Sequence, residues 1–357
     1  MGKKIILKAT DLDGYLGETD KGYLDQMNSY YKKATEIFKT IDSRNLKNPD
    51  DNDRNNLIES FNKMGEFMKE IVSGEPRIRV YSFETPVSIH GEASRLIAKL
   101  RDVNTKHREF LYYTQRAYEL LFNLSLYGGD QTKRHYLVVK TPVKTPVQNY
   151  AVHKIPYIDE DLKNSVMCVM LRGALLPSII MSKEIQEYSS DNYVTPFALF
   201  RIKRDDTKKE HNMEYILDLE KSYFDLECMN GKDLIFADPM NATGGSFVTI
   251  IKYLMDQGVK PRSVKFFNVI SSLKGTLRIV RALENVTVYT LWMDPVMNEL
   301  AYILPGLGDA GDRLNGEDEP DYPRNIIQLI ADYGSVVSDL YRSQIRKIEE
   351  TVLSAGV

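Results

Sequence analysis

The chain has 357 residues, of which 43% are hydrophobic and 27% are charged, and its formal net charge at pH 7 is −3. This composition is typical of a globular protein with one large domain or a domain with an appendage. It argues against general binding to nucleic acid or to an anionic membrane surface, because both need a basic protein surface.

Neither a disulfide framework nor a targeting segment is predicted. The two cysteines, Cys168 and Cys228, are far apart, which favours a reducing compartment. The first residues, MGKKIILKATDLDGY, lack the apolar core and cleavage site of a secretory signal. No apolar run reaches the roughly 18 residues of a membrane helix. We therefore expect a cytoplasmic protein with no membrane or nucleic-acid partner.

Residues 1–87 are predicted to form a helical N-terminal extension. Apolar side chains between Tyr23 and Ile41 recur at steps of three and four, which is one helix face. The polar stretch SRNLKNPDDNDRNN is typical of a loop, and LIESFNKMGEFMKEIV is a second amphipathic helix. The pattern indicates a helical hairpin used for packing or dimerisation rather than for ligand binding.

A long helix is predicted over about residues 94–126, followed by a β-hairpin. The segment HYLVVKTPVKTPVQNYAVHK alternates branched and polar residues around two prolines. Such a pattern predicts an extended arm at the edge of a sheet.

Apolar strands and amphipathic helices alternate after Asn164. The predicted strands are SVMCVML, VTPFALFRI, DLIFA, SVKFFNVIS and NVTVYTLWM, and helical patterns lie between most of them. This alternation predicts an α/β fold, a mostly parallel sheet with helices on both faces. Residues 317–357 are acidic and then helical, and we expect this C-terminal tail to pack on the domain.

The stretch LIFADPMNATGGSFVTI combines a strand end with a glycine turn and a helix start. Ligands bind at the carboxyl ends of strands in open α/β sheets, and free N–H groups at a helix start suit a phosphate. Gly244 and Gly245 allow close approach of a phosphate, and Asp238 can accept hydrogen bonds from sugar hydroxyls. An ordinary strand-to-helix turn capped by Ser246 is the alternative. A nucleotide loop of the Gly-Lys-Ser type is excluded, because no lysine follows Gly245.

A second glycine-rich stretch, YILPGLGDAGDR, spans Tyr302 to Arg313. So many glycines are incompatible with a helix or a central strand. The stretch is therefore predicted to be a shaped loop whose backbone N–H and C=O groups could read the edge of a planar base.

Together, DPMNATGGS and YILPGLGDAGDR resemble the uracil phosphoribosyltransferases, a type I phosphoribosyltransferase family. A single acid followed by proline, here Asp238-Pro239, is similar to the ribose loop of the uracil enzymes. LRDVNTKHREF, VKTPVKTP, MLRGALL and KRDDT, with the Tyr215 that follows, also resemble family motifs. The resemblance covers about residues 88–316, which we take as the phosphoribosyltransferase domain.

The resemblance implies an enzyme of pyrimidine salvage. The family transfers phosphoribose from phosphoribosyl pyrophosphate (PRPP) to N1 of uracil, giving UMP and pyrophosphate, with Mg²⁺ present. It also implies a homodimer or a higher homo-oligomer. The expected reaction is an oxocarbenium-like displacement, in which arginine and Mg²⁺ stabilise the leaving pyrophosphate.

Site residues follow from the resemblance by position. Arg172, Arg204 and Asp309 are the implied catalytic residues: the arginines face pyrophosphate, and Asp309 lies beside pyrophosphate or its Mg²⁺, through water. Uracil is expected to contact Ile303, Gly308, Asp309 and Ala310. PRPP is expected to contact Arg172, Arg204, Asp309 and the loop after the strand, namely Asp238, Pro239, Met240, Asn241, Ala242, Thr243, Gly244, Gly245 and Ser246.

Among the departures from the family pattern, the one at Arg172 bears most on catalysis. Arg172-Gly173-Ala174 stands where the family usually has Arg-Ala-Gly, in the loop expected to meet pyrophosphate. Two alternatives to a uracil phosphoribosyltransferase therefore stay open at this point. One is a non-catalytic regulatory protein that binds PRPP or uracil, and the other is a phosphoribosyltransferase for another base.

Overall fold

A computed structural model describes residues 4–44, 50–84, 87–127, 134–156, 159–189, 191–316, 328 and 342–354. Within these ranges the strands are β1 (Lys4–Lys8), β2 (Ile78–Val80), β3 (Arg134–Lys140), β4 (Tyr150–Pro156), β5 (Ser165–Leu171), β6 (Phe197–Arg204), β7 (Glu214–Tyr223), β8 (Asp233–Asn241), β9 (Ser263–Ser272), β10 (Val286–Asp294), β11 (Val296–Met297) and β12 (Ile303–Leu304).

The described α-helices are of two kinds, helices of ten or more residues and short helices of four to six residues. They are α1 (Ala9–Asp13), α2 (Glu18–Ser43), α3 (Asp51–Ser73), α4 (Tyr81–Glu84), α5 (Val87–Arg101), α6 (His107–Tyr127), α7 (Asp159–Leu162), α8 (Leu175–Tyr188), α9 (Leu226–Met229), α10 (Gly245–Asp256), α11 (Leu273–Ala282), α12 (Ala310–Asn315) and α13 (Arg342–Ser354). None of the described helices is long and apolar enough to span a bilayer.

An eight-stranded sheet organises the chain, in the order β1-β7-β6-β5-β8-β9-β10-β2. The strands from β6 to β2 run parallel, and β7 and β1 add antiparallel pairs at one edge. The central strand β5 is buried along its whole length, as expected for a strand covered on both faces. The predicted α/β fold is confirmed.

Aromatic side chains fill the core between the central strands and α10. The rings of Phe247 and Phe266 stack with centroids 4.3 Å apart, and Phe236 meets Phe247 edge-on at 4.9 Å. Such ring pairs add to the free energy gained by burying their area. They fix α10 against β8 and β9, and so fix the turn that joins β8 to α10.

The N-terminal extension contains the predicted helical hairpin, formed by α2 and α3, where the rings of Tyr30 and Phe67 meet edge-on at 5.9 Å. It also adds a strand at each edge of the main sheet. β1 pairs with β7, and β2 pairs with β10. The extension therefore supplies both edge strands of the main sheet, in addition to the helical hairpin that packs beside the sheet.

Two elements of the structure differ from those predicted from the sequence. The helix expected over 94–126 is two helices, α5 and α6, because Asp102 accepts a hydrogen bond from the N–H of Asn104 at 2.8 Å and forms a turn between them. The β-hairpin arm is present, but among the described strands β3 and β4 pair with each other alone and form a separate sheet.

Within the C-terminal tail, α13 lies on the main domain. Thr351 donates to the carbonyl oxygen of Phe197 in β6 at 3.0 Å, and Gln344 donates to Gln186 in α8 at 3.0 Å. The acidic part of the tail and most of the predicted helix before Arg342 lie outside the described residues.

Candidate active site

A cleft of about 330 Å³ opens at the carboxyl ends of the parallel strands. Its walls come from the ends of β5, β6 and β8, from the start of α10, and from the loop between β11 and α12. Twelve of the predicted site residues line it: Arg172, Arg204, Asp238, Met240, Asn241, Ala242, Thr243, Gly244, Ser246, Gly308, Asp309 and Ala310.

The phosphate loop, residues 241–246, joins β8 directly to α10. Gly244 adopts a φ of 73°, a left-handed conformation that glycine takes without steric cost. A Cβ atom at Gly245 would overlap the ring of Tyr215, so the loop sits on this tyrosine. Thr243 accepts from the N–H of Gly245 at 3.4 Å. The loop thus places free N–H groups of a helix start on the cleft.

The first turn of α11 supports the phosphate loop from the other side. Ser272 donates to the carbonyl oxygen of Ala242, and a Cβ at Gly275 would overlap the same carbonyl. A Cβ at Gly244 would lie 2.7 Å from the carbonyl oxygen of Gly275. Contacts this tight fix the loop to α11, so the position of α11 determines the position of the loop.

Asp238 lies at the cleft end of β8 and is half-buried. Burial raises the pKa of Asp238 to about 7, and the charge of Asp309 adds to this shift. The N–H of Met240, which donates at 3.0 Å, and the charge of Arg204 act in the opposite direction. Asp238 is therefore a strong hydrogen-bond acceptor whose charge changes near neutral pH.

Arg172 follows β5 and points to α12. It donates to Asp312 at 2.6 Å and to the carbonyl oxygen of Gly316 at 2.6 Å. The order of the two residues after it fits the fold: Gly173 lines the cleft opposite Gly311, whereas Ala174 is fully buried and caps α8.

Arg204 ends β6 on the opposite wall. It donates to the carbonyl oxygen of Ala301 at 3.4 Å, and its guanidinium lies over the ring of Tyr302, 5.9 Å from the centroid. Asp206 is 3.5 Å from it and exposed to solvent. Arg172 and Arg204 thus place two permanent positive charges on the rim of the cleft.

The base loop, residues 301–310, is shaped by backbone conformation. Ala301 is buried with a φ of 64°. The N–H of Gly306 donates at 2.9 Å to Asp294, a buried carboxylate that is paired with Arg101. Asp309 caps α12 by accepting from the N–H of Asp312 at 3.0 Å. The hydrogen bond to Asp294 and the cap of α12 thus hold the loop in place, and its Gly308 to Ala310 segment faces the cleft.

Three predicted site residues do not line the cleft. Pro239 is buried behind it, Gly245 lies on Tyr215, and Ile303 pairs with Met297 in the short sheet of β11 and β12. Sequence reasoning had not assigned Lys203 and Tyr302, which do line it. Lys203 precedes Arg204, and Tyr302 begins the glycine-rich stretch. This position next to an assigned residue or motif is the feature of the sequence that could have identified them.

The carboxylate of Asp309 fits a magnesium ion held through water and pyrophosphate. Asp309 is exposed at the cleft, and Oδ1 alone is used by the α12 cap, so Oδ2 is left to face a hydrated ion. Magnesium keeps several waters and takes one or two carboxylates together with substrate phosphates. Asp238 is close enough to Asp309 for the charge of Asp309 to raise the pKa of Asp238.

Comparisons with known proteins point to one family. The sequence model described as uracil phosphoribosyltransferase matches residues 87–316. The uracil phosphoribosyltransferase of Dictyoglomus thermophilum is 30% identical over 227 residues, covering 64% of this chain and 96% of that protein. That of Mycoplasmoides gallisepticum is 29% identical over 228 residues, with the same coverage of 64% and 96%. Among solved structures, the AQ2163 protein from Aquifex aeolicus is similar at 22% identity and a TM-score of 0.44, covering 64% of this chain and 95% of that one.

Proposed function

Because the chain belongs to the uracil phosphoribosyltransferase family, we propose that it converts uracil and PRPP to UMP and pyrophosphate in pyrimidine salvage. The observation that carries the proposal is the convergence of Arg172, Arg204, Asp238 and the phosphate loop on one cleft. PRPP has a pyrophosphate, a ribose and a 5′-phosphate, and the cleft offers a matching group for each.

The substrate binds along the cleft in the order of these groups. The N–H groups of Thr243, Gly244 and Ser246, which line the cleft, hold the 5′-phosphate at the start of α10. Asp238, once ionised, accepts from the ribose 2′- and 3′-hydroxyls. The backbone of Gly308 to Ala310, which lines the cleft, reads the edge of uracil, which places N1 over C1 of the ribose.

Stabilisation of the leaving group is the main catalytic contribution of the protein. As the C1–O bond breaks, negative charge develops on pyrophosphate and the ribose becomes oxocarbenium-like; N1 of uracil then bonds to C1 and releases its proton to water. Arg172 and Arg204 hold fixed positive charge where the pyrophosphate charge develops, and Arg172 can exchange its bond to Asp312 for phosphate oxygens. Asp309 would hold Mg²⁺ together with PRPP, and the bound ion would neutralise further charge on the pyrophosphate.

We propose a second copy of this chain as the partner of the hairpin arm. The side chains of Tyr136, Val138, Tyr150 and Val152 on β3 and β4 are each 57–62% exposed. An isolated two-stranded sheet with so much apolar surface is marginally stable in water, and association covers it. A homodimer or higher homo-oligomer follows. The two free cysteines fit the reducing cytoplasm.

A panel of bases tests the proposed specificity. Purified protein is mixed with PRPP, Mg²⁺ and either uracil, cytosine, orotate, adenine or hypoxanthine, and nucleotide and pyrophosphate are measured. Equal amounts of UMP and pyrophosphate with uracil, and little product with the others, are expected. A faster reaction with another base would change the assigned substrate, and PRPP binding without any product would indicate a regulatory binder.

A further inference from the structure

The family match begins at residue 87, yet residues before it reach the support of the phosphate loop. β1 pairs with β7, and the N–H of Ala9, at the start of α1, donates to the carbonyl oxygen of Met213 at 2.9 Å. α1 therefore lies beside the connection between β6 and β7, which begins directly after Arg204. Asp13 is the last residue of α1, and its carboxylate connects this part of the extension to α11.

Asp13 binds a fully buried arginine of α11. Nε and Nη2 of Arg278 donate to Asp13 Oδ1 at 2.9 and 2.6 Å, and the Arg278 side chain is 0% exposed. Glu210 lies 2.8 Å from the same guanidinium, and Lys274 bridges Glu210 at 2.9 Å and Asp13 at 3.6 Å. A buried charge of this kind is tolerated only when it is paired, so both carboxylates are needed to hold Arg278 in place.

Arg278 lies one turn after the residues that hold the phosphate loop. Ser272 and Gly275 contact Ala242 and Gly244, and Arg278 follows Gly275 by three residues on the same short helix. Burial raises the pKa of Tyr215, the residue that packs against Gly245. The positive charge of Arg278 acts on the same hydroxyl and lowers this pKa. The cluster formed by Asp13, Glu210, Lys274 and Arg278 thus acts on α11 and on Tyr215, and both of these support the phosphate loop.

We propose that Asp13 is a positioning residue for the 5′-phosphate, acting from the extension through Arg278 on the phosphate loop. The inference rests on the proposed function for the identity of the ligand. Its structural basis is a chain of contacts from Asp13 to Arg278, along one turn of α11, to Ala242 and Gly244. The extension is then part of the substrate site, although it lies outside the family match.

The chain offers a matched control in the same extension and on the same helix. Asp20 accepts from Nε and Nη2 of Arg281 at 3.0 Å each, and Arg281 lies one turn further from the phosphate loop than Arg278. Glu75 pairs with Arg281 as Glu210 pairs with Arg278. Asp20→Asn therefore removes a similar ion pair between the extension and α11, at a site further from the phosphate loop.

The test compares ribose 5-phosphate and PRPP binding by calorimetry in the wild type, Asp13→Asn and Asp20→Asn. Asp13→Asn is expected to weaken ribose 5-phosphate binding by about tenfold, the equivalent of about 1.4 kcal/mol. Asp20→Asn is expected to leave this affinity within about twofold, whatever it does to the melting temperature. In turnover, Asp13→Asn should raise KM for PRPP and leave KM for uracil unchanged.

Equal affinities in all three proteins, or equal losses in the two variants, would overturn the inference and indicate a purely structural extension. Thermal unfolding shows whether each variant folds. If Asp13→Asn does not fold, Asp13→Glu replaces it, since it keeps the charge but moves the carboxylate by one methylene, and a smaller loss of affinity is expected. A wild type that binds PRPP but makes no UMP would contradict the proposed function alone.

Discussion

Arg172 donates to the carboxylate of Asp312 at 2.6 Å, across 140 residues of sequence. The arginine that we assign to pyrophosphate is therefore already bound to a carboxylate from α12. The two side chains are 17% and 41% exposed, and ion pairs of this kind contribute about 0–1 kcal/mol. Pyrophosphate can displace so weak a partner, and the pair keeps Arg172 oriented toward the cleft before substrate binds.

Asp312→Asn is expected to strengthen product inhibition by pyrophosphate. The substitution removes a carboxylate that competes with pyrophosphate for Arg172, so the inhibition constant should fall by up to about fivefold, the equivalent of about 1 kcal/mol. Initial rates at several pyrophosphate concentrations measure this. Asp206→Asn is the control, because Asp206 lies 3.5 Å from Arg204 but is 77% exposed, and little change is expected. Weaker inhibition in Asp312→Asn would show that Asp312 mainly orders Arg172.

The affinity for PRPP is expected to rise between pH 6 and pH 8. Burial raises the pKa of Asp238 to about 7, and only the ionised form accepts from both ribose hydroxyls. Its ionised fraction, and with it the affinity, should increase by about tenfold over this interval. Calorimetry at each pH measures the effect. PRPP has its own ionisations, so the comparison is with Asp238→Asn, whose pH profile should lack this rise. Parallel profiles would contradict the assigned role.

The same carboxylate is expected to lower stability at high pH. The pKa of Asp238 is higher in the folded protein than in the unfolded chain, whose aspartates have pKa values of about 3.9. Between about pH 4 and pH 7 the folded state then binds more protons, so this group makes stability fall as pH rises. Asp238→Asn should raise the melting temperature at pH 8 and have little effect near pH 4. A gain that does not depend on pH would contradict the assignment.

Ala301→Gly is expected to stabilise the fold. Ala301 is a non-glycine residue with a φ of 64°, a conformation that costs such residues about 1–2 kcal/mol. Part of this gain is offset by the larger entropy of glycine in the unfolded chain, so a net increase of up to about 1 kcal/mol is expected in denaturant unfolding. Ala34→Gly in α2 is the control and should destabilise by about 1 kcal/mol, because Ala34 is helical. Equal losses in both variants would contradict the argument.

Where neighbouring groups share a local pattern, the sequence predicted which residues would line the cleft. Asp238 and the phosphate loop follow one strand, and Arg172 and Arg204 end two others. Because the carboxyl ends of parallel strands meet at one edge of a sheet, their convergence followed from the fold class. The fold class itself followed from the alternation of apolar strands and helices after residue 164.

Long-range pairings could not be predicted in this way. The partners of Arg278 and Arg172 lie 265 and 140 residues away in sequence, and nothing in their local patterns indicates them. β1 has only five residues and owes its position to pairing with β7 at the edge of the main sheet. The raised pKa of Asp238 depends on burial by segments distant in sequence, which no motif shows.

Formation of UMP tests the central claim most directly. Purified protein is incubated with PRPP, Mg²⁺ and radiolabelled uracil beside an Asp309→Asn variant, and UMP is separated and counted. The account predicts UMP from the wild type and almost none from the variant. No UMP from a wild-type protein that still binds PRPP in calorimetry would contradict it, and would instead indicate a binder without transferase activity.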